Sequence, residues 1–592
     1  MRLHPRPRRG LRALTDTDRR GVEVSAPGIP WTVVGTAGVD RVALHPISAD
    51  GVVGEATIAA RSDLGRHIAE SAPTTRWVWS DTAHWYPDLV AAGVRTSRCH
   101  DLRLVHAILR DSAVVVGAEG VRAATEWDAA ASATGAATTA LFDLEGGSRE
   151  VPHDADAALA EFVRQHAVIE ASPASLRLLV AAESVGALVA VEMHAAGVPW
   201  DGDVHDGILT DMLGERAVSG RLPARLEALA AEIRALLGDA AASLDSQPKL
   251  LRSLHRVGVA ATSTSKWELR EYDHPVIGPL LEYKRLMRLL SANGWAWRDE
   301  WAPEGRFRPV YVPGGVVTGR WASSGGGALQ LPRQLRPAVR ADDGWTLVVA
   351  DVAQLEPRVL AAMSRDAALA DSARGADLYE GIVARGVVTT RSEAKFALLG
   401  AMYGATTGDS GRLVPALRRA YPRAMGLVDD AARTGEEGGV VSTWLGRSSP
   451  PPSRGWHELQ ARAGDPDATD SDRTRARRAA RDRGRFTRNF VVQGTAAEWA
   501  LAWLGELRAR LASLPEVDTA SEASRSGTLQ ARRAHLAFFL HDEVIVHTPV
   551  AQADAAAGAV QQAADAATRL LFGDIPLDFR LDLQVRVDAA KD

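Results

Sequence analysis

Cysteine is almost absent from this chain: Cys99 is the only one in 592 residues. That excludes a disulfide framework and any cysteine-rich zinc site. There is no excess of basic charge, since 69 Lys and Arg face 74 Asp and Glu, for a formal net charge of −5. A uniformly basic coat for nucleic acid is therefore excluded, and any such surface has to be local. No apolar segment follows the basic start (Arg2, Arg6, Arg8, Arg9, Arg12), so no secretory signal is read there. No transmembrane run and no internal repeat is found in the rest. What remains is the composition of an ordinary soluble protein, 46% hydrophobic and 24% charged. The chain is too long for one core, so three or four subdomains are expected, in the cytoplasm.

Residues 1–20 read as a flexible basic lead. From Trp31 to Asp111 short apolar runs alternate with helix-like stretches, which suggests a small α/β domain. Residues 112–155 read as a connection. From Asp156 to about Leu290 the pattern is helical, broken at Ser172-Pro173 and Pro199-Trp200-Asp201. Arg225 to Leu244 has an amphipathic pattern, with Leu226, Leu229, Leu236 and Leu237 on one side. Further on, a strand is expected over Trp345 to Ala350, with helix from Gln354 and again over Arg391 to Tyr403. Ala461 to Arg488 is arginine-rich, Gln493 to Leu511 helical, and Asp518 to Gly527 has the look of a surface insertion. Ala551 to Phe572 predicts a helix and Leu577 to Val587 a strand.

Ala537-Phe538-Phe539-Leu540-His541-Asp542-Glu543-Val544-Ile545-Val546-His547 sets two carboxylates inside an apolar, strand-like run. Burying a carboxylate costs several kcal/mol unless it is paired or bound to a metal. Neighbours on a strand face opposite ways, so Asp542 and Glu543 cannot both enter the core. A tight turn at His541-Asp542 would present them at the end of a hairpin. Leu347-Val348-Val349-Ala350 likewise runs into Asp351. Two aspartates at strand ends, far apart in sequence, suit a two-metal phosphoryl-transfer site. The alternative for Asp351 is a cap on the following helix. Arg391, Lys395, Leu399 and Tyr403 recur every four residues, which places a guanidinium, an ammonium and a ring along one helix face. Such a face fits a triphosphate and a stacked base, or is a solvated face with Tyr403 at its buried end. Arg485, Asn489 and Gln493 share a face that could reach bases or sugars, or serve as ordinary surface polarity. Arg473, Arg475, Arg477, Arg478, Arg481, Arg483, Arg485 and Arg488 form a candidate phosphate track, though most such runs are solvated faces. Thr318-Gly319-Arg320-Trp321 could touch a nucleic-acid backbone or simply turn the chain.

Taken in order, these segments resemble family A DNA polymerases, the polymerase portion of bacterial DNA polymerase I. Asp351 to Arg358 resembles the first palm motif of that family. Arg391 to Gly404 resembles its fingers helix, and His541-Asp542-Glu543 its second palm motif. Thr318-Gly319-Arg320, Leu329-Gln330 and Gln493-Gly494-Thr495-Ala496-Ala497 also match. So do the thumb-like Ser263-Thr264-Ser265, His274-Pro275-Val276-Ile277 and Glu282-Tyr283-Lys284. The resemblance runs from about residue 180 to the end.

It implies an α+β multidomain fold: a right-hand polymerase, with an antiparallel palm sheet and helical thumb and fingers. A small α/β exonuclease-like (RNase H-like) domain would precede it. The boundaries expected are 21–165 for that domain and 166–335 for thumb and start of palm. The first palm motif would fill 336–384, the fingers 385–484 and the second palm motif 485–592. The resemblance implies two Mg²⁺ ions on Asp351, Asp542 and the carbonyl of Val352. One would activate the primer 3′-hydroxyl, and the other would hold the triphosphate. Glu543 would support the site. Arg391 and Lys395 would bind the triphosphate of a deoxynucleotide, and Lys395 also counts among the catalytic candidates. Gln354, Leu399 and Tyr403 would line the nucleotide site, and Glu356 would exclude a ribose 2′-hydroxyl. Arg320, Arg485, Asn489, Gln493 and His541 would contact primer–template DNA. The implied activity is DNA-templated DNA synthesis in repair or replication, by a nucleoid-associated monomer away from any membrane. Two alternatives are a polymerase with residual 3′→5′ exonuclease activity and a non-catalytic DNA-binding scaffold.

There are departures. Leu399 stands where the family usually has Phe or Tyr, Pro357 where it has an aliphatic residue, and Ala328 where asparagine is common. The family's exonuclease opens with Asp-x-Glu on its first strand, whereas Trp31 to Thr36 carries no such pair. Val78-Trp79-Ser80-Asp81 through Leu89 loosely resembles the second exonuclease segment, with Trp85 at the expected aspartate. Asp101 fits another family acid. The expectation is an exonuclease-like fold without proofreading, and no room for a 5′-nuclease domain.

Overall fold

The computed structural model describes residues 30–591 except 129–149, 218–220, 328, 330, 375–376 and 405–407. The basic lead at 1–20, Ala328 and Gln330 lie outside the described residues. The first domain is built on five strands: β1 (Trp31–Thr36), β2 (Arg41–Ile47), β3 (Thr57–Ala60), β4 (Arg76–Trp79) and β5 (Cys99–Asp101). Their order is β3-β2-β1-β4-β5, antiparallel from β3 to β1 and parallel from β1 to β5, an RNase H-like arrangement. Val33 and Val34 of β1 are fully buried, as β-branched residues on a covered strand should be. Gly38, at φ +104°, and Asp40, at φ +52°, turn β1 into β2. Helices α1 (Thr82–Ala91), α2 (Leu102–Asp111) and α3 (Ala155–Ala171) pack around the sheet.

Asp81 and Asp101 are occupied by structural work. Asp81 caps α1 by accepting from Ala83 N at 2.9 Å, and takes Arg103 Nε at 2.9 Å. Asp101 caps α2 by accepting from Leu104 N at 2.9 Å, and also from Thr82 N at 2.8 Å. Trp85 is buried and donates its indole N–H to Ser80 Oγ at 2.9 Å. On β1, a Cβ added to Gly35 would fall 2.3 Å from Ala155 Cα, so α3 begins directly against the first strand.

Helix α4 (Ala174–Ala196) joins this domain to the rest. It has 23 residues, and an 18-residue stretch of it reaches a mean hydropathy of 1.7, long and apolar enough to cross a membrane, contrary to the expectation that no such run exists. Two thirds of that span (67%) is buried in protein, against α1, β5 and the long helix described below, which marks a core helix. Its two buried acids are both paired. Glu183 meets Arg447 at 2.5 Å. Glu192 accepts from Tyr86 at 2.6 Å and from Arg508 at 2.6 and 3.0 Å, tying the first domain to the last third of the chain. Burial opposes the Glu192 charge, but Arg508 and Arg95 outweigh it and hold the carboxyl down to about 2. A depressed carboxyl stabilises the fold above its unfolded value and loses that contribution as pH falls through the folded one. Stability should therefore drop between about pH 4.5 and 2. Glu192→Gln should flatten that limb in denaturation midpoints measured against pH.

Residues 202–301 form a helical block whose longest member is α5 (Ile277–Asn293). Lys284 on α5 donates to Thr264 Oγ1 at 2.6 Å, which brings two of the quoted thumb-like motifs together. The helix expected over Arg225 to Leu244 spans only Ala224–Leu236, because Gly238, at φ +61°, turns the chain away.

The second sheet has four strands: β6 (Trp345–Val352), β7 (His535–Leu540), β8 (Glu543–Pro549) and β9 (Leu581–Arg586). All pairs are antiparallel, in the order β7-β8-β6-β9. β9 is the half-exposed edge and is shorter than the Leu577 to Val587 expected. The helices that follow are α6 (Leu355–Ser364), α7 (Leu378–Ala384), α8 (Arg391–Tyr403), α9 (Pro422–Glu436), α10 (Asp470–Ala512) and α11 (Ala553–Phe572). The arginine-rich stretch and the helix expected after it are one 43-residue helix, α10, ~65 Å long at 1.5 Å per residue. A capping box of Thr469 and Asp472 starts it. Its apolar second half is buried beneath α11 and α4. Asp518 to Gly527 lies at the surface, as expected, and is tied to the palm sheet: Trp345 Nε1 donates to Ser521 O at 2.9 Å, and Ala523 and Ser526 are buried.

Candidate active site

β7 and β8 are joined by His541-Asp542 alone. His541 adopts φ +54°, a left-handed conformation costly for a side chain of its size. The turn thereby holds Asp542 at the hairpin tip, and Asp542 O accepts from Val352 N at 2.8 Å. Asp351 belongs to β6 itself and does not cap the next helix; that place is taken by Gln354, at φ +51°. Register sets Asp351 opposite Glu543 on one neighbour and opposite Asp582 on the other. Paired residues share a face, so Glu543, Asp351 and Asp582 form a row across three strands.

This row is partly neutralised. Glu543 is buried and held by Arg336 at 2.6 and 2.8 Å, a bidentate pair with the guanidinium over the Phe538 ring. Lys591 Nζ lies 3.0 Å from Asp351 Oδ2 and 3.0 Å from Glu543 Oε2. Burial raises the Asp351 carboxyl despite Lys591. Burial, and then Asp351, pushes Asp542 up to about 7.

A cleft of about 300 Å³ opens beside the hairpin tip. Arg320, Gln354, Glu356, Tyr379, Leu399, Tyr403, His541 and Asp542 line it. Glu356 is its hub, taking Arg320 on one oxygen and the Tyr403 hydroxyl on the other. Burial and then Glu356 raise the Tyr403 hydroxyl. Burial and then Arg320 hold His541 down to about 4, so its ring is neutral. Asp351 does not line this cleft. It faces a neighbouring hollow of about 470 Å³ with Arg333, Asp582 and Lys591, and Gln354 borders both.

α8 begins where Thr390 and Glu393 form a capping box, and ends at Gly404, φ +74°. Arg391 donates to Asp377 at 2.6 and 2.9 Å and lies over the Tyr379 ring. Lys395 is exposed along the same face. A Cβ on Gly404 would fall 2.7 Å from Arg485 Cγ, so glycine lets α10 approach the end of α8. Asn489 leaves its Oδ1 buried without a hydrogen bond, and Gln493 accepts from Thr318 Oγ1 at 2.9 Å. Arg391, Lys395, Arg485, Asn489 and Gln493 thus surround the cleft without lining it. Arg336, Asp377, Tyr379, Asp582 and Lys591 went unread in the sequence. Asp377, just before an apolar helix, had a helix-cap signal that could have marked it; the rest are joined by register and long-range contact. Among the described residues, no cluster of three or more His, Cys, Asp or Glu makes a closed metal cage.

The structure matches the polymerase domain of Pol1 from M. smegmatis, solved in complex with DNA primer-template and dNTP. The match covers 95% of both chains at a TM-score of 0.66 and 16% identity. The likeness establishes the fold as a right-hand polymerase, with the four-stranded antiparallel sheet as its palm. The chain belongs to DNA polymerase family A, whose model matches residues 215–591. DNA polymerase I of Chloroflexus aurantiacus is 28% identical over 367 residues, covering 57% of this chain and 35% of that protein. The thermostable DNA polymerase I of Thermus aquaticus is 24% identical over 420 residues, covering 64% of this chain and 45% of that protein. The matches thus span less than half the length of these relatives.

Proposed function

We propose that this chain is a DNA-templated DNA polymerase that adds deoxynucleotides to a primer 3′-hydroxyl. The observation that carries this is the Asp542 turn, strained at His541, beside the Asp351 strand end and a cleft closed by α8. The donors fit a hard divalent cation. Asp351 and Asp542 repel one another in a half-buried setting, and carboxylate and carbonyl oxygens suit Mg²⁺, which usually keeps water and substrate phosphates as further ligands. The open, cage-free arrangement agrees with that preference. Asp351, Asp542 and the Val352 carbonyl would hold two such ions, which supply charge neutralisation and an activated hydroxyl when bound.

The remaining roles belong to the chain's own groups. Arg391 and Lys395 bind the triphosphate from one helix face, with Asp377 setting the Arg391 rotamer. Tyr403 and Leu399 bear on the nascent base pair. Gln354 and Glu356 bound the sugar side of the cleft. His541, neutral and donating rather than charged, meets the primer end together with Arg320. Arg485, Asn489 and Gln493 follow the duplex along α10. Arg473, Arg475, Arg477, Arg478 and Arg481 of α10 are exposed, and Arg473 and Arg475 pair with Asp470 and Asp472, which favours a solvated surface over a phosphate track there. Thumb, palm and fingers are assigned to the spans 166–335, 336–384 with 485–592, and 385–484, and α10 runs unbroken across the boundary between fingers and palm. The first domain acts as a support without proofreading, since Asp81 and Asp101 are committed to caps and to Arg103.

Primer extension by the intact chain, with Mg²⁺ and the four deoxynucleotides, tests the reading. Absence of extension would sink it. The same mixture without nucleotides should leave a labelled 3′-end undegraded; shortening would show that the first domain is an active nuclease. Leu399→Phe should shift the preference between dideoxy- and deoxynucleotides, because a ring there fills the space beside Tyr379 and Tyr403. Equal selectivity in single-nucleotide kinetics would remove Leu399 from the nucleotide site.

A further inference from the structure

Asp351 has one cation within salt-bridge distance among the described residues, and it comes from the far end of the sequence. Lys591 follows β9, and the segment carrying it is anchored at every step. Ala589 is buried and its N–H donates to Val339 O at 2.9 Å. Ala590 N donates to Asp588 Oδ1 at 3.0 Å, and Ala590 O accepts from Arg586 at 2.6 Å. Lys591 O accepts from Arg333 through Nε at 3.2 Å and Nη2 at 2.9 Å. A backbone held this way aims the ammonium between Asp351 and Glu543, 3.0 Å from each. Glu543 already has both oxygens on Arg336. Asp351 has no such second partner, and Asp582 beside it adds negative charge.

We propose that Lys591 is a resident cation of the palm: it occupies Asp351 until a divalent ion takes that carboxylate, and so weakens divalent binding there. This rests on the reading of Asp351 as a metal ligand. Two cations cannot share one carboxylate oxygen at contact distance without strong repulsion, and at ~4 Å two unit charges interact by several kcal/mol near a protein surface. Lys591 holds Oδ2, and a divalent ion on either oxygen lies close enough for that repulsion to push the ammonium back onto Glu543. A lysine on a flexible stem can retreat this way, where a buried bidentate arginine such as Arg336 cannot.

The test is Mn²⁺ binding by the full chain without DNA or nucleotide, followed by electron paramagnetic resonance, with Asp351→Asn as the blank. Lys591→Met should bind the Asp351-dependent Mn²⁺ about tenfold more tightly than the parent. Lys591→Arg, which keeps the charge, should return affinity towards the parent. Equal or weaker binding by Lys591→Met overturns the proposal and leaves Asp351 as a ligand. No Asp351-dependent binding by parent or variant overturns it too, by removing the metal assignment beneath it.

Discussion

Asp542→Asn lowers the rate of primer extension by about a thousandfold while leaving the fold intact. The substitution keeps the shape of the side chain and removes the charge that a divalent ion needs. Metal stabilisation of the transition state is worth several kcal/mol, and each 1.36 kcal/mol is tenfold, so ~4 kcal/mol sets the figure. Stability changes in the opposite direction. Burial and Asp351 lift Asp542 to about 7 from 3.8, so the metal-free fold favours the protonated acid. That stabilisation is complete below the unfolded value and is lost as pH rises through the folded one. In chelator the parent should lose stability from about pH 4 to 7, and the Asn variant should lose less. An inactive variant with an unchanged or higher midpoint at pH 7 separates the ligand role from a structural one. Extension within tenfold of the parent would remove Asp542 from the metal site.

The parts of this fold that could be read from sequence are those whose signals are local. Continuous apolar runs mark β6 and the β7–β8 hairpin, and the turn at His541-Asp542 follows from two carboxylates that an apolar strand could not hide. Helix α8 matches its expected limits, Arg391 to Tyr403, because Thr390, Glu393 and Gly404 supply start and stop signals next to one another. Where signals compete, the reading drifts. Leu236 and Leu237 prolong an apolar face that Gly238 ends, and the charged first half of α10 hides its continuity with the apolar second half. The apolar α4 escaped notice as a span-length helix because Glu183 and Glu192 interrupt it, and their partners Arg447 and Arg508 lie far along the chain. Site residues divide the same way. Asp351 and Asp542 stand at strand ends and can be found by position. Arg336 and Lys591 cannot, since nothing near them in sequence records that both close on Glu543.

Glu356→Ala raises incorporation of ribonucleotides relative to deoxynucleotides by on the order of 10²-fold. Glu356 follows Gln354 and Leu355 at the start of α6 and is buried, so its carboxylate projects into the cleft from a rigid helix turn. Arg320 and Tyr403 each hold one of its oxygens, and that fixes the rotamer. A 2′-hydroxyl entering this space meets atoms that cannot move aside. Overpacking of this kind costs ~1–3 kcal/mol, or up to about a hundredfold in relative rate. Truncation to alanine opens the volume of a carboxyethyl group and removes the steric block. It also frees the Tyr403 hydroxyl and the Arg320 guanidinium, so deoxynucleotide use should fall as well, through looser closure of α8. Tyr403→Phe distinguishes the two effects. It removes one anchor and keeps the ring and the carboxylate, so selectivity should relax by less than in Glu356→Ala. The measurement is single-turnover insertion of matched ribo- and deoxynucleotides by each variant. An unchanged ratio in Glu356→Ala would show that the sugar does not enter the cleft beside Glu356, and that the nucleotide lies elsewhere on the α8 face.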